Sequence, residues 1–201
     1  MDRRFILASK SPRRRELLKQ LGLAFEVVPS KVTEGFVPEE SPRSHALRLA
    51  EAKAEEVAMR YPNRWVVAAD TIVSMDGSIF GKPKTQEEAL GMLHRLSGQE
   101  HQVLTGFSVR HVEKGKRDRE AVQTMVKMKP LAPEEMAWYV RTGEPFDKAG
   151  GYAIQGAGSF MIESIQGSYT NVVGLPLCEL IQVLLRLEAI TISERGLRSA
   201  E

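Results

Sequence analysis

The central feature of the hydrophobic pattern is a long, mainly apolar run at residues 65–75. Trp65-Val-Val-Ala-Ala-Asp-Thr-Ile-Val-Ser-Met75 shows no regular alternation of apolar and polar positions, which is typical of a central strand covered on both faces. Asp76-Gly77 follows it and is typical of a tight hairpin turn, so residues 78–81 are predicted to return antiparallel. We expect this strand to lie in the middle of the sheet.

Other segments show helical or strand periodicity, with capping residues at their ends. Apolar spacing predicts helices at residues 11–22, 44–61, 85–98 and 133–143, and a final helix after residue 177. Apolar runs predict strands at residues 5–8, 25–29, 101–112, 119–128 and 160–165. Residues 31–42 and the glycine-rich residues 144–158 are predicted to be loops, the latter a functional one.

Strands and helices alternate along the whole chain, and this alternation predicts the fold class. We expect a single mixed α/β domain, residues 1–201, with an extended twisted sheet and two lobes around a central cleft. The chain is long enough to bury one sizeable core. The polar tail, residues 192–201, is predicted to be frayed.

Composition and charge indicate which kinds of binding partner the chain is suited to. Hydrophobic residues make up 42% and charged residues 27% of the chain, as in ordinary globular proteins. The 28 Lys and Arg residues barely outnumber the 26 Asp and Glu residues, so overall charge does not predict a nucleic-acid partner. No run is apolar enough for a membrane span, and no signal-peptide pattern precedes Phe5. We therefore expect neither a nucleic acid nor a membrane as partner.

The chain has one cysteine, Cys178, which lies within an apolar helical run. One cysteine cannot form a disulfide framework, and this predicts a reducing, cytoplasmic compartment. Because no base or metal ligand is close to Cys178 in the sequence, we predict a small buried apolar residue rather than a nucleophile.

Three arginines, Arg13, Arg14 and Arg15, lie on the first turn of the first predicted helix. Ser11 is a good N-cap and Pro12 suits the first helical position. The arginines therefore flank unpaired backbone donors and the positive end of the helix dipole. Such a turn is suited to binding a polyphosphate. A solvated basic patch is the alternative, and the charges by themselves leave both open.

Asp70 stands out because it interrupts the apolar run of residues 65–75. A carboxylate there lies either in the core, which is energetically costly, or where the strand meets a cleft. A locally hydrogen-bonded bulge is the remaining alternative. Gly81-Lys82-Pro83, across the predicted hairpin, would bring an ammonium near this carboxylate, although Lys82 by itself is typical of a surface lysine.

Four further residues are candidates. Glu34 lies in a polar loop and Lys53 on an amphipathic helix, where exposure to solvent is the ordinary expectation. Lys148 shortly precedes two glycines, which allow a ligand to approach the backbone closely. Gln155 carries an amide that can form two hydrogen bonds to a base edge, and its alternative is an ordinary turn residue.

Missing motifs exclude several kinds of active site. The chain has no Gly-x-x-x-x-Gly-Lys-Ser/Thr loop and no Gly-x-Ser-x-Gly elbow. Its four histidines never fall at metal-ligand spacing. The remaining arginines, lysines and carboxylates suit hydrolysis of a phosphoanhydride with a divalent cation, because Mg²⁺ binds carboxylate and phosphate oxygens.

These residues occur in motifs that resemble the Maf family of nucleoside triphosphate pyrophosphatases, across nearly the whole chain. The motifs that carry the resemblance are Leu7–Leu18, Ala69–Val73, Gly81–Pro83, Leu96–Gly98 with His101 and Thr105-Gly106, Asp147–Gly150, Ile154–Gly156 and Gly174–Pro176. The resemblance implies a Maf/ITPase-like fold and hydrolysis of a nucleoside triphosphate to the monophosphate and pyrophosphate. It also implies a divalent cation, Mg²⁺ or Mn²⁺, and, by analogy, a homodimer.

The family's functional positions fall on residues of this chain. The resemblance implies that Asp70 is the proton acceptor and that Glu34 and Asp70 form the metal site. It implies that the phosphates are bound by Ser9, Arg14, Lys53, Lys82 and Lys148. One departure is Thr33, because the residue before the loop glutamate is often acidic in the family.

Three positions divide the family by substrate. Members that act on dTTP and UTP carry Arg, Thr and Gln where members that act on 7-methyl-GTP carry Trp, Gln and Glu. This chain has Arg13, Thr71 and Gln155, so the resemblance implies the dTTP/UTP group. A glutamine amide both donates and accepts, which matches the O4 acceptor and N3–H donor of thymine or uracil.

Two alternatives remain: a 7-methyl-GTP pyrophosphatase, and a non-catalytic nucleotide-binding regulator of septum formation. A pure binder has no need of a base together with Lys53, Lys82 and Glu34, which favours an enzyme. Nucleotide-pool housekeeping and cell division arrest are the cellular roles that the resemblance implies.

Overall fold

The computed structural model describes residues 5–35, 37–193 and 196–199. Its main strands are β1 (Phe5–Leu7), β2 (Phe25–Val27), β3 (Trp65–Met75), β4 (Ser78–Phe80), β5 (Glu100–His111), β6 (Lys116–Met128) and β7 (Ile162–Gln166). They form one sheet in the order β2-β1-β3-β5-β6-β7, with β4 paired to β3. β1 pairs in parallel with β2 and β3, and the other pairs are antiparallel. The predicted central strand is therefore confirmed as β3.

The helices are α1 (Pro12–Gln20), α2 (Pro42–Arg60), α3 (Gln86–Leu96), α4 (Pro133–Arg141), α5 (Tyr169–Val173) and α6 (Leu177–Arg186). Local sequence sets the starts of α1 and α2. Ser11 and Ser41 each accept a hydrogen bond from the helix N-terminus, and a proline follows each of them. The serine side chain pairs a backbone donor that would otherwise have no partner. α2 thus begins two residues before its predicted start.

Two of the hydrophobic clusters follow one another along one face of β3 and β5. The first includes Val67 and Phe107 and packs against α1 and α6, whereas the second includes Val73 and Val103 and packs against α3 and α4. The long strands are shared by both clusters. The expected mixed α/β fold with two lobes around a cleft is therefore confirmed.

α2 covers the opposite face of β3 and β5, and Gly106 allows its close approach. Gly106 pairs with Asp70 in the register between the two strands. A Cβ added at this glycine would overlap the carbonyl group of Ala46 and lie 2.7 Å from the amide nitrogen of Leu47. Only glycine fits under the helix at this point. The close packing brings Lys53 of α2 next to Asp70.

Three details differ from the sequence predictions. Cys178 is exposed, so the prediction of a buried residue is wrong; it lies two positions from buried Leu180, on the other side of α6. The tail is not simply frayed, because β8 (Ile190–Ser193) pairs antiparallel with β9 (Gly196–Ser199); its residues 194–195 and 200–201 lie outside the described residues. α5 is not predicted, since five residues are too few to show helical periodicity.

The described part of the chain contains no helix that combines the length and the hydrophobicity needed to cross a bilayer.

Candidate active site

A cavity of about 900 Å³ opens at the edge of β3 that faces away from β5. β1 pairs with residues 65–67 of β3 and β4 pairs with residues 73–75, so the stretch between them has no partner strand on this edge among the described residues. The start of α1, the loop after β2, the middle of α2 and residues 147–155 enclose the gap. The cavity is lined by all the predicted site residues: Ser9, Arg13, Arg14, Glu34, Lys53, Asp70, Thr71, Lys82, Lys148 and Gln155.

Asp70 and Glu34 converge on the ammonium of Lys53. Lys53 Nζ donates to Asp70 Oδ1 at 2.7 Å and to Glu34 Oε1 at 2.5 Å. Asp70 and Lys53 are each 7% exposed, and the Glu34 side chain is about half exposed. The buried carboxylate is tolerated because a buried cation neutralises it. Of the three positions that the sequence leaves open for Asp70, the structure shows the one where the strand meets a cleft.

Lys82 lies on the outer side of Glu34, with Nζ 3.7 Å from Oε2. Partial burial acts to raise the pKa of Glu34, but the hydrogen bond and charge of Lys53 and the charges of Lys82 and Arg14 hold this pKa below its ordinary value. Glu34 is therefore ionised at neutral pH. The Lys82 side chain is 57% exposed, so its ammonium is accessible to an anion that enters the cavity.

The two carboxylates fit a divalent cation that is shared with a substrate. Among the described residues, no group of three His, Cys, Asp or Glu side chains could hold a metal ion. Mg²⁺ is commonly bound by one or two carboxylates together with substrate phosphates, and Glu34 and Asp70 already converge on one cation. This donor set suits a metal–nucleotide complex better than a permanent metal centre.

Arg14 reaches from α1 to the free edge of β3, where the protein itself holds its guanidinium. Nε donates to the carbonyl oxygen of Gly174 at 2.7 Å. Nη1 donates to the carbonyl oxygen of Ala69 at 2.8 Å and to Ser9 Oγ at 3.3 Å. Nη2 donates to Thr71 Oγ1 at 2.8 Å. Four of its five N–H groups thus have partners in the described part of the chain, where one remains for a ligand.

Arg13 and Arg15 point in other directions. Arg13 Nη1 lies 3.1 Å from Asp147 Oδ2, at the rim of the cavity. The same carboxylate lies 2.6 Å from Lys148 Nζ. Arg15 pairs with Glu16 on the surface. The three arginines of α1 therefore do not form one anion-binding cluster.

The other two predicted specificity residues, Thr71 and Gln155, differ in how freely they can bind a ligand. Thr71 Oγ1 accepts from Arg14 and lies 2.9 Å from Thr105 Oγ1, so its hydroxyl belongs to an internal network. Gln155 is exposed, and within the described ranges its amide forms no hydrogen bond. Gln155 thus presents an unpaired polar group to the cavity.

A buried polar network behind Arg14 is not identified from the sequence. Thr105 Oγ1 donates to the carbonyl oxygen of Asn171 at 3.0 Å. Asn171 Nδ2 donates to Thr124 Oγ1 at 2.9 Å, and all three side chains are fully buried. The network ties α5 to the sheet. The one available signal is a threonine between two apolar residues on the same face of its strand, Val103 and Phe107 in β5 and Val122 and Val126 in β6.

The chain is similar to known proteins over nearly its whole length. The family model described as "Maf-like protein" matches residues 4–187. The "dTTP/UTP pyrophosphatase" of Syntrophotalea carbinolica is 51% identical over 191 residues, which cover 94% of this chain and 87% of that protein. The protein of the same name from Geotalea uraniireducens is 52% identical over 185 residues, which cover 92% of this chain and 95% of that protein.

The solved structure of the Staphylococcus aureus Ham1 protein covers 90% of this chain and 97% of its own chain, at 14% sequence identity and a TM-score of 0.48. This likeness is too weak to carry an argument.

Proposed function

The chain belongs to the Maf family, and we propose that it is an enzyme that hydrolyses dTTP and UTP to the monophosphate and pyrophosphate. Relatives about half identical over nearly the whole chain carry the name dTTP/UTP pyrophosphatase. The observation that carries the proposal is the buried pair of Asp70 and Lys53 beside Glu34, in a cavity of the size that small-molecule ligands occupy.

In the proposed reaction, Asp70 accepts a proton from the water that attacks the α-phosphorus. A bond forms between the water oxygen and the α-phosphorus, and the bond from that phosphorus to the bridging oxygen breaks. Pyrophosphate leaves and the nucleoside monophosphate remains. Lys53 holds Asp70 through Oδ1, which leaves Oδ2 for the water.

Positive charge for the triphosphate comes from Lys82, from Lys53 and from the remaining N–H group of Arg14. Ser9 Oγ accepts from the protein, so its hydroxyl hydrogen is left to donate to a phosphate. A divalent cation, Mg²⁺ or Mn²⁺, would be held by Glu34 and Asp70 and would supply neutralisation of the phosphate oxygens.

Lys148 is the phosphate ligand that fits least well. Its ammonium donates to Asp147 Oδ1 at 2.6 Å and to the carbonyl oxygen of Glu144 at 2.7 Å. Two of its three N–H groups are thus occupied, and the negative charge of Asp147 weakens its attraction for a phosphate. We assign it a supporting role at the rim of the cavity.

Base selection is proposed to depend chiefly on Gln155. Its amide can donate to O4 and accept from N3–H of thymine or uracil, whereas a glutamate would leave O4 facing a lone pair. Arg13 and Thr71 act less directly, because one is bound to Asp147 and the other to Arg14.

Pyrophosphate release from a panel of nucleotides tests the proposal. dTTP, UTP, CTP and 7-methyl-GTP are assayed with Mg²⁺, with Mn²⁺ and with a chelator. We expect release from dTTP and UTP, and only with a divalent cation. A preference for 7-methyl-GTP would identify the other family activity, and nucleotide binding without release would identify a non-catalytic regulator. Either result contradicts the proposal.

A homodimer, a cytoplasmic location and the absence of a nucleic-acid partner stay predictions. Analytical ultracentrifugation of the purified chain tests the first of them.

A further inference from the structure

Gln155 occupies the N-cap position of a 3₁₀ helix, Gly156–Met161. An N-cap side chain ordinarily accepts from the backbone N–H groups of the second and third helical residues, which here are Ala157 and Gly158. Gln155 forms no such bond. Its amide therefore stays free at the wall of the cavity.

Glu144 accepts from these two donors instead. Its Oε2 accepts from the amide of Ala157 at 3.0 Å, and its Oε1 accepts from the amide of Gly158 at 3.2 Å. The hydroxyl of Tyr139, which is fully buried, donates to Glu144 Oε1 at 3.1 Å. Burial and the charge of Glu144 raise the pKa of Tyr139, so this hydroxyl stays a donor at physiological pH.

A second anchor holds the loop on the other side of Gln155. The hydroxyl of Tyr152 and His101 Nε2 lie 2.5 Å apart, and both side chains are buried. Burial lowers the pKa of His101 to about 4, so the ring is neutral at physiological pH. Gln155 thus lies between two points at which the loop is fixed to the core.

Resting on the function proposed above, we propose that Glu144 is a positioning residue for base selection: it caps the helix after Gln155 and so leaves the Gln155 amide free to bind thymine or uracil. Without this carboxylate, the N–H groups of Ala157 and Gly158 have no acceptor. They then attract the side-chain oxygen of Gln155 and draw it away from the base. Asp70, Lys53 and Lys82 form no hydrogen bond or ion pair with Glu144. Lys148 binds only its backbone carbonyl oxygen, which a substitution of the side chain keeps. The contact between His101 and Tyr152 limits the movement of the same loop.

Glu144→Ala tests this role through the kinetics of dTTP hydrolysis. We expect kcat/KM to fall about 10- to 100-fold, as for a recognition group moved out of place, with most of the change in KM. Glu144→Gln keeps one acceptor oxygen and should recover part of the loss. A fall confined to kcat, or no fall, overturns the inference.

A double-mutant cycle decides whether Glu144 acts through Gln155. If it does, Glu144→Ala has little further effect on kcat/KM once Gln155→Ala is present. Equal losses in both backgrounds overturn the inference.

Glu135→Ala is the matched control, because Glu135 caps α4 through the amide of Ala132 at 2.9 Å and does not line the cavity. Its KM for dTTP should stay unchanged, and a rise like that of Glu144→Ala overturns the inference.

Tyr139→Phe covers the case in which Glu144→Ala does not fold, because it removes one of the three bonds to the carboxylate. A smaller rise in KM that disappears in the Gln155→Ala background supports the inference, and an unchanged KM overturns it.

The unmodified chain distinguishes a failure of the proposed function from a failure of the role of Glu144. If it releases no pyrophosphate from dTTP or UTP, the proposed function fails and this inference falls with it. If it does and the cycle is additive, this inference alone fails.

Discussion

The ammonium of Lys53 lies 2.7 Å from Asp70 Oδ1, and neither side chain is more than 10% exposed. Each charge has lost most of its hydration, and the ion pair between them offsets that loss. α2 supplies the lysine and β3 supplies the aspartate. The proposed base is therefore fixed by the packing of two core elements rather than by a loop.

Asp70→Asn is expected to lower the turnover of dTTP by about 10²- to 10⁴-fold, the usual contribution of a general base. The amide keeps the size of the carboxylate but cannot take the proton, so nucleotide binding measured by calorimetry should be retained. If Asp70 is chiefly a metal ligand, the variant instead requires much more Mg²⁺. A variant that keeps most of its rate would require a different base.

Lys53→Met is expected to destabilise the fold by about 3 kcal/mol, because it leaves the Asp70 carboxylate buried without its cation. Urea unfolding measures this loss. Lys82→Met is the control and should change the free energy of unfolding by less than about 0.5 kcal/mol, because Lys82 is exposed. Adding Asp70→Asn to Lys53→Met should recover part of the loss, and a further loss would show that the two residues do not act as a pair.

Glu34→Gln is expected to change how stability depends on pH in acid. The pKa of Glu34 in the folded chain lies below its ordinary value of 4.5. Its contribution is therefore complete above that pH and is lost as the pH falls through the folded-state pKa. Thermal unfolding between neutral pH and the acid range should show the wild type losing its advantage over the variant below pH 4.5. A constant difference at every pH would contradict the assignment.

Gly106→Ala is expected to lower both stability and activity, because the new Cβ pushes α2 and its Lys53 away from β3. Forced packing of this kind costs about 1–3 kcal/mol. Gly91→Ala is the matched control: it lies inside α3 with nothing within 4 Å of an added Cβ, so it should stabilise the chain by about 0.5–1 kcal/mol. Urea unfolding and pyrophosphate release measure the two effects. Equal behaviour of the two variants would rule out the close helix contact.

The long elements of the fold could be predicted because several local signals agree. β3 has a long, mainly apolar run and a following Asp76-Gly77 turn, and its bounds match the prediction. The exposure of Cys178 could not be read from composition, because it depends on which side of α6 faces the core. The β8–β9 hairpin is not predicted either, because the alternation of Ile190-Thr-Ile-Ser193 is only four residues long and the polar residues that follow favour a frayed end.

The site residues could be named from the sequence, but their contacts could not. The resemblance identifies Asp70, Lys53 and Glu34 as site residues, and the structure shows that both carboxylates contact the lysine. The contacts of Arg14 depend on Ala69 and Gly174, which are 55 and 160 residues away. Glu144 gives no signal because two of its three partners are backbone N–H groups, which every sequence carries.

The most direct test of the central claim, that water attacks the α-phosphorus, is hydrolysis of dTTP in water labelled with oxygen-18. Mass spectrometry of both products after a single turnover locates the label. Attack at the α-phosphorus predicts one labelled oxygen in dTMP and unlabelled pyrophosphate. Label in the pyrophosphate, with unlabelled dTMP, would mean attack at the β-phosphorus and would contradict the proposed reaction.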